Sequence, residues 1–332
     1  MSFHLAANHY IDHLVQSGID VRPHDLHFSL NGLHPQDATE IAIVHPIFYR
    51  SAWEGVSFEQ IIERLRDCHE TVIGMEVADT SLISERFASW ASHPLLAGLA
   101  LPSAFSIGAF RRAGITKRIG YVPHGVTTVR PSTRFAFLQK DRRPKILVFA
   151  VGDARRKGVD LVSRLLPEFS DCLFVLKIPT DATFRTHLDN IVAINEWLPE
   201  VDLASLYCSC DLLLSLHRAG AFELNCLEAA AYGLPIVTPG YGCVLEYLTQ
   251  ENTCFVGVER IERLRHDSRS DHCGIGATAD LTDTKNQLRR LLADLASVRK
   301  RALNCQDTIR TNWSWQRAAD KLVDFAEQCT AM

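Results

Sequence analysis

Five short, almost unbroken apolar runs in the second half of the chain constrain its fold more than any other feature. "KILVFAVG" (145–152), "CLFVLKIP" (172–179), "NIVAINEWL" (190–198), "CDLLLSLH" (210–217) and "PIVTPG" (235–240) are each of strand length, with helical patterns between them. A strand apolar at every position is buried on both faces, as in a parallel sheet roofed by helices. Such strands alternating with helices predict an α/β doubly wound layer.

The first half repeats the rhythm. Strands are expected at "EIAIVHP" (40–46), "TVIGMEV" (71–77), "LLAGLALP" (95–102) and "RIGYVPHG" (118–125). Helices are expected at "SFEQIIERLRDC" (57–68), which opens with a Ser/Glu capping pattern, and at "SAFSIGAFRRAG" (103–114). The stretch 127–144 loses the rhythm and gains proline and charge, as a linker does. The expected division is therefore 1–135, 144–310 and a closing helix within 311–332, "WSWQRAADKLVDFAEQ". Two Rossmann-like halves joined by a linker make a central cleft, and ligands bind at the carboxyl ends of parallel strands.

Composition narrows the function. With 332 residues, 47% hydrophobic and 22% charged, the chain is long enough for two cores, and its net charge of −4 supplies no basic field for nucleic acid. The basic clusters "RRAGITKR" (111–118) and "KDRR" (140–143) read as solvated faces. Ten cysteines without CxxC spacing read as reduced thiols, and "HDSRSDHC" (266–273) as a polar surface loop, so no metal or cofactor is expected. No signal peptide and no apolar run of about 18 residues is apparent, so a cytoplasmic protein is expected, with peripheral membrane contact left open.

One carboxylate stands out. In "LSLHRAGAFELNCLEAAAYGLPIVTPG" (214–240), Glu228 sits in a helix with almost no wet face, among Leu224, Cys226, Leu227, Ala229, Ala230 and Ala231. An unpaired buried carboxylate costs several kcal/mol or shifts its pKa. Either a basic side chain or the hydroxyls of a ligand should meet it. Upstream, a strand ending near His217, a small-residue turn at 219–221 and a helix beginning near Phe222 would present backbone N–H groups and a positive dipole end. That arrangement suits an anion.

Several segments in order resemble one family, the GT-B retaining glycosyltransferases of family 4. "LALPSAFSIGAFRRAGITKRIGYVPHGV" (99–126) is similar to the end of that family's amino-terminal domain. "RRKGVDLV" (155–162) resembles its donor-phosphate motif "RKGvdlL", and "WLPEVDLASLYCSCDLLLSLHR" (197–218) its "L...eLp.lYaaaDlfvsp" segment. "GAFELNCLEAAAYGLPIV" stands where "EGFGLpxLEAMAcGlPVI" is expected, and "WSWQRAADKL" matches the terminal helix that crosses back to the first domain.

The resemblance implies a fold of two Rossmann-like domains, acceptor-side (1–135) and nucleotide-sugar-binding (144–310). It also implies roles for residues. Lys157, with Arg155 or Arg156, would neutralise the leaving diphosphate, and Glu228 would accept hydrogen bonds from the nucleotide ribose. His217, Gly220, Ala221, Phe222 and Leu224 would complete the donor site, with Arg218 also facing it. His45, at the end of a strand, and Glu76 are candidates for a catalytic or acceptor-side role, whereas His124 in "VPHGV" would be structural.

Two departures matter. The family places a second glutamate eight residues before the ribose-binding one, and here that position is Gly220. Glu223 replaces a family glycine and either reaches back towards the sugar or, the preferred expectation, is an exposed acid favouring a helix start. The chain also opens on "MSFHLAANHYIDHLVQSGIDV", which looks like the family's first helix and next strand, without the first strand and glycine-rich loop. The function implied is transfer of a hexose from a UDP- or GDP-sugar to a hydroxyl of a glycan, lipid-linked or small-molecule acceptor. The alternatives are an inactive GT-B module partnering an active enzyme, or another GT-B sugar-phosphate enzyme such as an epimerase or phosphorylase.

Overall fold

A computed structural model describes residues 2–24, 39–48, 51–52, 55–182, 187–264 and 271–331. It separates into two compact units. One comprises Met1–Gly125, Arg263–Ile275 and Trp313–Met332, the other Val126–Glu262 and Gly276–Asn312.

The first unit is built on a parallel sheet in the order β1 (Ile41–Val44), β2 (Thr71–Met75), β3 (Gly98–Leu101), β4 (Ile119–Tyr121). Alternate residues of each strand face opposite ways, and both faces are covered. Val72, Leu99 and Leu101 join one apolar cluster with Phe58, Ile62, Phe87 and Phe110. These come from α2 (Phe58–Cys68), α3 (Glu85–Ala91) and α4 (Ala104–Arg112). Ile73, Met75 and Ala100 join another with Tyr10, Trp315, Leu322 and Phe325, from α1 (Ser2–Gln16) and α11 (Trp315–Thr330).

Hydroxyl caps set several of these helix starts. Ser57 accepts from Gln60 N, Ser84 from Phe87 N, Ser103 from Ser106 N and Ser314 from Arg317 N. Each satisfies one of the orphan donors of a first turn, typically for about 1 kcal/mol. The strand expected directly after the first helix is absent: residues 17–24 turn off α1 without pairing.

The second unit carries a six-stranded parallel sheet ordered β10-β9-β8-β5-β6-β7. Its strands are β5 (Lys145–Phe149), β6 (Leu173–Lys177), β7 (Ile191–Ile194), β8 (Leu212–Leu214), β9 (Ile236–Pro239) and β10 (Thr253–Val256). Renumbered from β5, the order is 3-2-1-4-5-6, the Rossmann arrangement. Ile146, Val148, Phe174, Leu176 and Leu214 pack with Leu161 and Leu165 of α5 (Val159–Leu165) and Leu288 and Leu291 of α8 (Leu281–Ala293). Leu147, Val175 and Leu213 point the other way and are equally buried, which is why the runs read as continuous apolar sequence. The unit also contains α6 (Glu200–Ser209), α7 (Leu224–Ala231), α9 (Leu295–Asn304), whose Leu295 and Val298 pack on the first of these faces, and α10 (Gln306–Asn312).

The chain leaves this unit within β11 (Val258–Arg263) and returns within β12 (Ile275–Ala279). Most of the polar loop 266–273 lies outside the described residues, but His272 is seen accepting a hydrogen bond from Asp79 N at 3.2 Å. All ten cysteines are free thiols, seven of them buried. Among the described residues no helix is long and apolar enough to cross a membrane.

Candidate functional site

The order of the second sheet has a topological switch point. β5 and β8 are hydrogen-bonded neighbours, yet the chain proceeds from β5 towards one edge and from β8 towards the other. At such a switch point the loops leaving the two carboxyl ends diverge and open a crevice. Those loops are 150–158 and 215–223, the two segments that carry most of the candidate residues.

The loops are laced together by backbone. Arg218 N donates to Arg156 O at 2.7 Å, and Arg156 Nη1 to Ala219 O at 3.0 Å. The first loop is closed on itself by Asp153, which accepts from Arg156 N at 2.6 Å through its side chain and from Lys157 N at 2.9 Å through its carbonyl. Gly158 makes the approach possible. It has φ 71°, and a Cβ there would lie 2.0 Å from Leu216 O.

Three charged side chains meet where the loops touch. Lys157 Nζ lies 2.6 Å from Glu223 Oε2, and Arg156 Nη1 3.5 Å from Glu223 Oε1. Glu223 is 2% exposed, so the exposed acid expected at this position is instead a buried ion-pair partner. Burial raises its pKa, but the positive charges facing it, Lys157 foremost, win, and the net direction is down. The helix also starts later than expected. α7 begins at Leu224 with Glu223 as a cap that makes no side-chain capping bond, because its carboxylate is committed to the cations.

Gly220 explains how the carboxylate fits. A Cβ at 220 would stand 2.1 Å from Glu223 Oε1 and 2.9 Å from its Cδ. The Glu223 side chain lies across the α-carbon of the residue where a glutamate was expected. Tyr247 fixes the same residue from behind, its hydroxyl donating to Glu223 O at 2.8 Å.

His217 belongs to this cluster. Its Nδ1 is 3.1 Å from Ser215 Oγ and 3.4 Å from Thr238 Oγ1, while its buried Nε2 has no hydrogen-bond partner among the described residues. Burial pushes its pKa down to about 4, so the ring is neutral at physiological pH. Arg218 does not join it. Its guanidinium points inward, donating to both carboxylate oxygens of Asp160 at 2.7 Å and to Glu262 at 3.2 Å. The cleft-facing role expected for Arg218 is thus corrected to a structural one, since burying a guanidinium demands paired carboxylates. Arg155 is also apart: its side chain is 62% exposed and reaches Glu262 at 3.3 Å.

Glu228 has a partner that the expectation did not include. Tyr207 of α6 donates its hydroxyl to Glu228 Oε2 at 2.6 Å. The phenol is itself stacked between Phe149 and Tyr232, with ring centroids 5.7 and 5.6 Å away. Burial pushes the Glu228 carboxyl up to about 7, against the pull of the Tyr207 hydrogen bond. Leu224, Ala221 and Phe222 lie on the same segment, with Leu224 N donating to Phe222 O at 2.8 Å.

In the first unit, Glu76 is 1% exposed and accepts from Phe48 N at 2.6 Å and from Val77 N at 3.1 Å. It braces the turn that follows β1. Burial drives its pKa up to about 8. His45 packs edge-on against Phe3 at 5.4 Å and beside His124 at 6.0 Å, and burial takes its pKa down to about 4. His124 is buried among Tyr10, His45 and Trp315, with its pKa pushed to about 3. Tyr207, Tyr247, Ser215 and Thr238 contact the candidate residues and were missed by sequence reasoning. Tyr207 left a signal: a tyrosine in an apolar helix needs a polar partner for its hydroxyl, as Glu228 needs one for its carboxylate.

Residues 199–322 match the family described as "Family 4 Glycosyltransferase in conflict systems". Over 239 residues the chain is 28% identical to "Putative glycosyltransferase 45" of Sulfolobus islandicus filamentous virus (isolate Iceland/Hveragerdi), covering 70% of this chain and 67% of that protein. A second relative, "Uncharacterized protein 356" of Sulfolobus islandicus rod-shaped virus 1, is 26% identical over 62% of each chain. The chain therefore matches about two thirds of the length of these relatives. Among solved structures, the sucrose-phosphate synthase of Thermosynechococcus elongatus superposes with TM-score 0.65 at 15% identity, over 88% of this chain and 74% of that one. Anabaena HepE in complex with UDP and glucose gives 0.64 at 12%, over 87% and 78%. At such identities these two establish the fold, which is GT-B.

Proposed function

We propose that this chain, which has the GT-B fold and matches a family 4 glycosyltransferase model over residues 199–322, moves a hexose from a nucleoside-diphosphate sugar to an acceptor hydroxyl with retention at the anomeric carbon. The observation that carries this reading is the Lys157–Arg156–Glu223 cluster beside the unpartnered His217 Nε2, at the switch point between β5 and β8. Lys157 and Arg156 would hold the diphosphate and stabilise the charge that grows on it as the sugar–phosphate bond breaks. Glu228, reached through the other loop, would accept from the ribose hydroxyls. That UDP occupies the related HepE supports a nucleoside diphosphate here.

In the step itself, the acceptor oxygen forms its bond to the anomeric carbon on the face the diphosphate leaves. The acceptor proton passes to the departing phosphate oxygen. No side-chain base is needed, and positioning with electrostatics lowers the barrier. The acceptor is a glycan, a lipid-linked sugar or a small hydroxyl compound, and a lipid-linked acceptor would bring the protein to a membrane surface.

The test is calorimetric titration with UDP, GDP and ADP, followed by hydrolysis and transfer assays with the matching nucleotide sugar. Lys157→Ala and Glu228→Ala serve as controls. Binding of one diphosphate, lost in both variants, with turnover of its sugar, is the expected result; no binding of any of the three overturns the reading. A second reading, a GT-B module that binds but does not transfer, is favoured by Gly220 at the expected glutamate. Binding without turnover on any acceptor would select it.

A further inference from the structure

The charges around Lys157 are already balanced by the protein's own carboxylate. Lys157 and Arg156 have side chains only 17% and 13% exposed, and the anion between them, Glu223, is 2% exposed. A cation so far withdrawn from water needs a partner, and its partner here is held at 2.6 Å. The same Lys157 cannot offer its full charge to a phosphate while that contact stands.

The arrangement depends on two residues together. With any side chain at 220, the first carbon would stand within 2.1 Å of Glu223 Oε1. Gly220 therefore leaves the room in which the Glu223 carboxylate lies, and Glu223 fills it. Next to the pair, the buried Nε2 of His217 is left without a partner among the described residues, as expected of a group awaiting a ligand atom.

We propose that Glu223 is an internal counter-ion: in the unliganded protein it occupies the cationic pair, and a diphosphate ligand must take Lys157 from it, Gly220 being the vacancy that lets the carboxylate sit there. This rests on Lys157 being the phosphate contact assigned above. A ligand carrying two or more negative charges outcompetes one carboxylate for the lysine, whereas a weakly charged or monoanionic ligand does not. The site thus rejects solitary monoanions and accepts diphosphates. Glu223 acts as a positioning residue for the two cations and sets a threshold of ligand charge.

The experiment is titration of the full chain with inorganic diphosphate, UDP and chloride at constant ionic strength, in wild type, Glu223→Gln and Gly220→Ala. Glu223→Gln keeps the shape and removes the charge, so inorganic diphosphate and UDP are expected to bind about tenfold more tightly. Chloride, excluded by the wild type, should now compete. Gly220→Ala pushes the carboxylate off Lys157 without changing the net charge, and the same direction is expected with a smaller gain. The double variant should bind no more tightly than Glu223→Gln, because both changes act on one contact.

Circular dichroism confirms folding, and Gly220→Ala supplies the reading should Glu223→Gln fail to fold. Unchanged or weaker diphosphate binding in a folded variant overturns the counter-ion and leaves the phosphate assignment standing. No binding of diphosphate or UDP to wild type and variants alike overturns the phosphate assignment itself.

Discussion

The carboxyl ends of the two parallel sheets each bury a glutamate, and the two are satisfied in opposite ways. In the first unit Glu76 is met by backbone N–H groups, chiefly of Phe48 and Val77, and burial takes its pKa up to about 8. In the second, Glu223 meets Lys157 and Arg156 and its pKa is lowered. Amide donors soften the desolvation of a carboxylate without cancelling it; a cation within 3 Å reverses its sign. Glu76 is thus a brace whose loss is expected to be felt by the fold, and Glu223 belongs to the charge cluster proposed above to meet a diphosphate. Glu228, held by the Tyr207 phenol with a pKa near 7, lies between them.

The largest effect that would sharpen this contrast is on turnover. Lys157→Ala is expected to lower kcat/KM by about 10²–10³, the loss typical for one group that stabilises developing charge, while far-UV circular dichroism stays that of the wild type. Glu76→Ala should do the reverse. It orphans two buried N–H groups at about 1–3 kcal/mol each, so the urea midpoint falls well below that of the wild type. A Glu76→Ala protein of full stability and no activity would break the comparison, placing Glu76 with the ligand.

The same glutamate makes a prediction in pH. Its folded pKa of about 8 is above the ordinary 4.5, so between those values the native state holds more protons than the unfolded one. The contribution of Glu76 to stability must then decline as pH rises across that window and level off above 8. Glu76→Gln, which retains one acceptor oxygen, should flatten the decline between about pH 5 and 8 in urea unfolding. An equal slope in both proteins would show that another group carries it.

Glu228 should respond through binding. Ribose hydroxyls favour the ionised carboxylate, and its pKa is near 7. UDP affinity should therefore rise severalfold from pH 6 to 8 in the wild type relative to Glu228→Gln. That difference removes the titration of the nucleotide itself. Parallel curves would take Glu228 out of the nucleotide contact and leave it as the partner of Tyr207.

The architecture was legible because burial on both sheet faces writes itself as unbroken apolar runs, and "KILVF" or "LFVLK" admit few alternatives. One serine cap was legible too, Ser57, which stands one residue before its helix. What could not be read was pairing between distant segments. Nothing in "GAFELNCLEA" tells that Glu223 folds back over Gly220 to a lysine 66 residues away. Nor does it tell that Arg218 turns inward to Asp160 while its neighbour His217 faces the cluster. Those outcomes depend on how closely two loops approach, and that distance is set by Gly158 against Leu216 O. The partner of Glu228 was within reach, since Tyr207 and Glu228 each lacked an evident partner in an apolar helix.

The smallest expected effect tests where the cationic site ends. Arg155 adjoins Arg156 in sequence and was expected to share the diphosphate, yet its guanidinium points to Glu262 and stays 62% exposed. An exposed pair of this kind contributes about 0–1 kcal/mol, and solvent screens its charge from a ligand several residues away. Arg155→Ala should then change diphosphate affinity by less than about twofold. Arg156→Ala, which removes a contact to Glu223 and the hydrogen bond to Ala219 O, should weaken binding clearly. If the two variants fall equally, Arg155 swings from Glu262 to the ligand on binding, and the site is wider than the Lys157–Arg156 pair. If only Arg156 matters, the cluster laced between the two loops is the whole of the anion contact on this side.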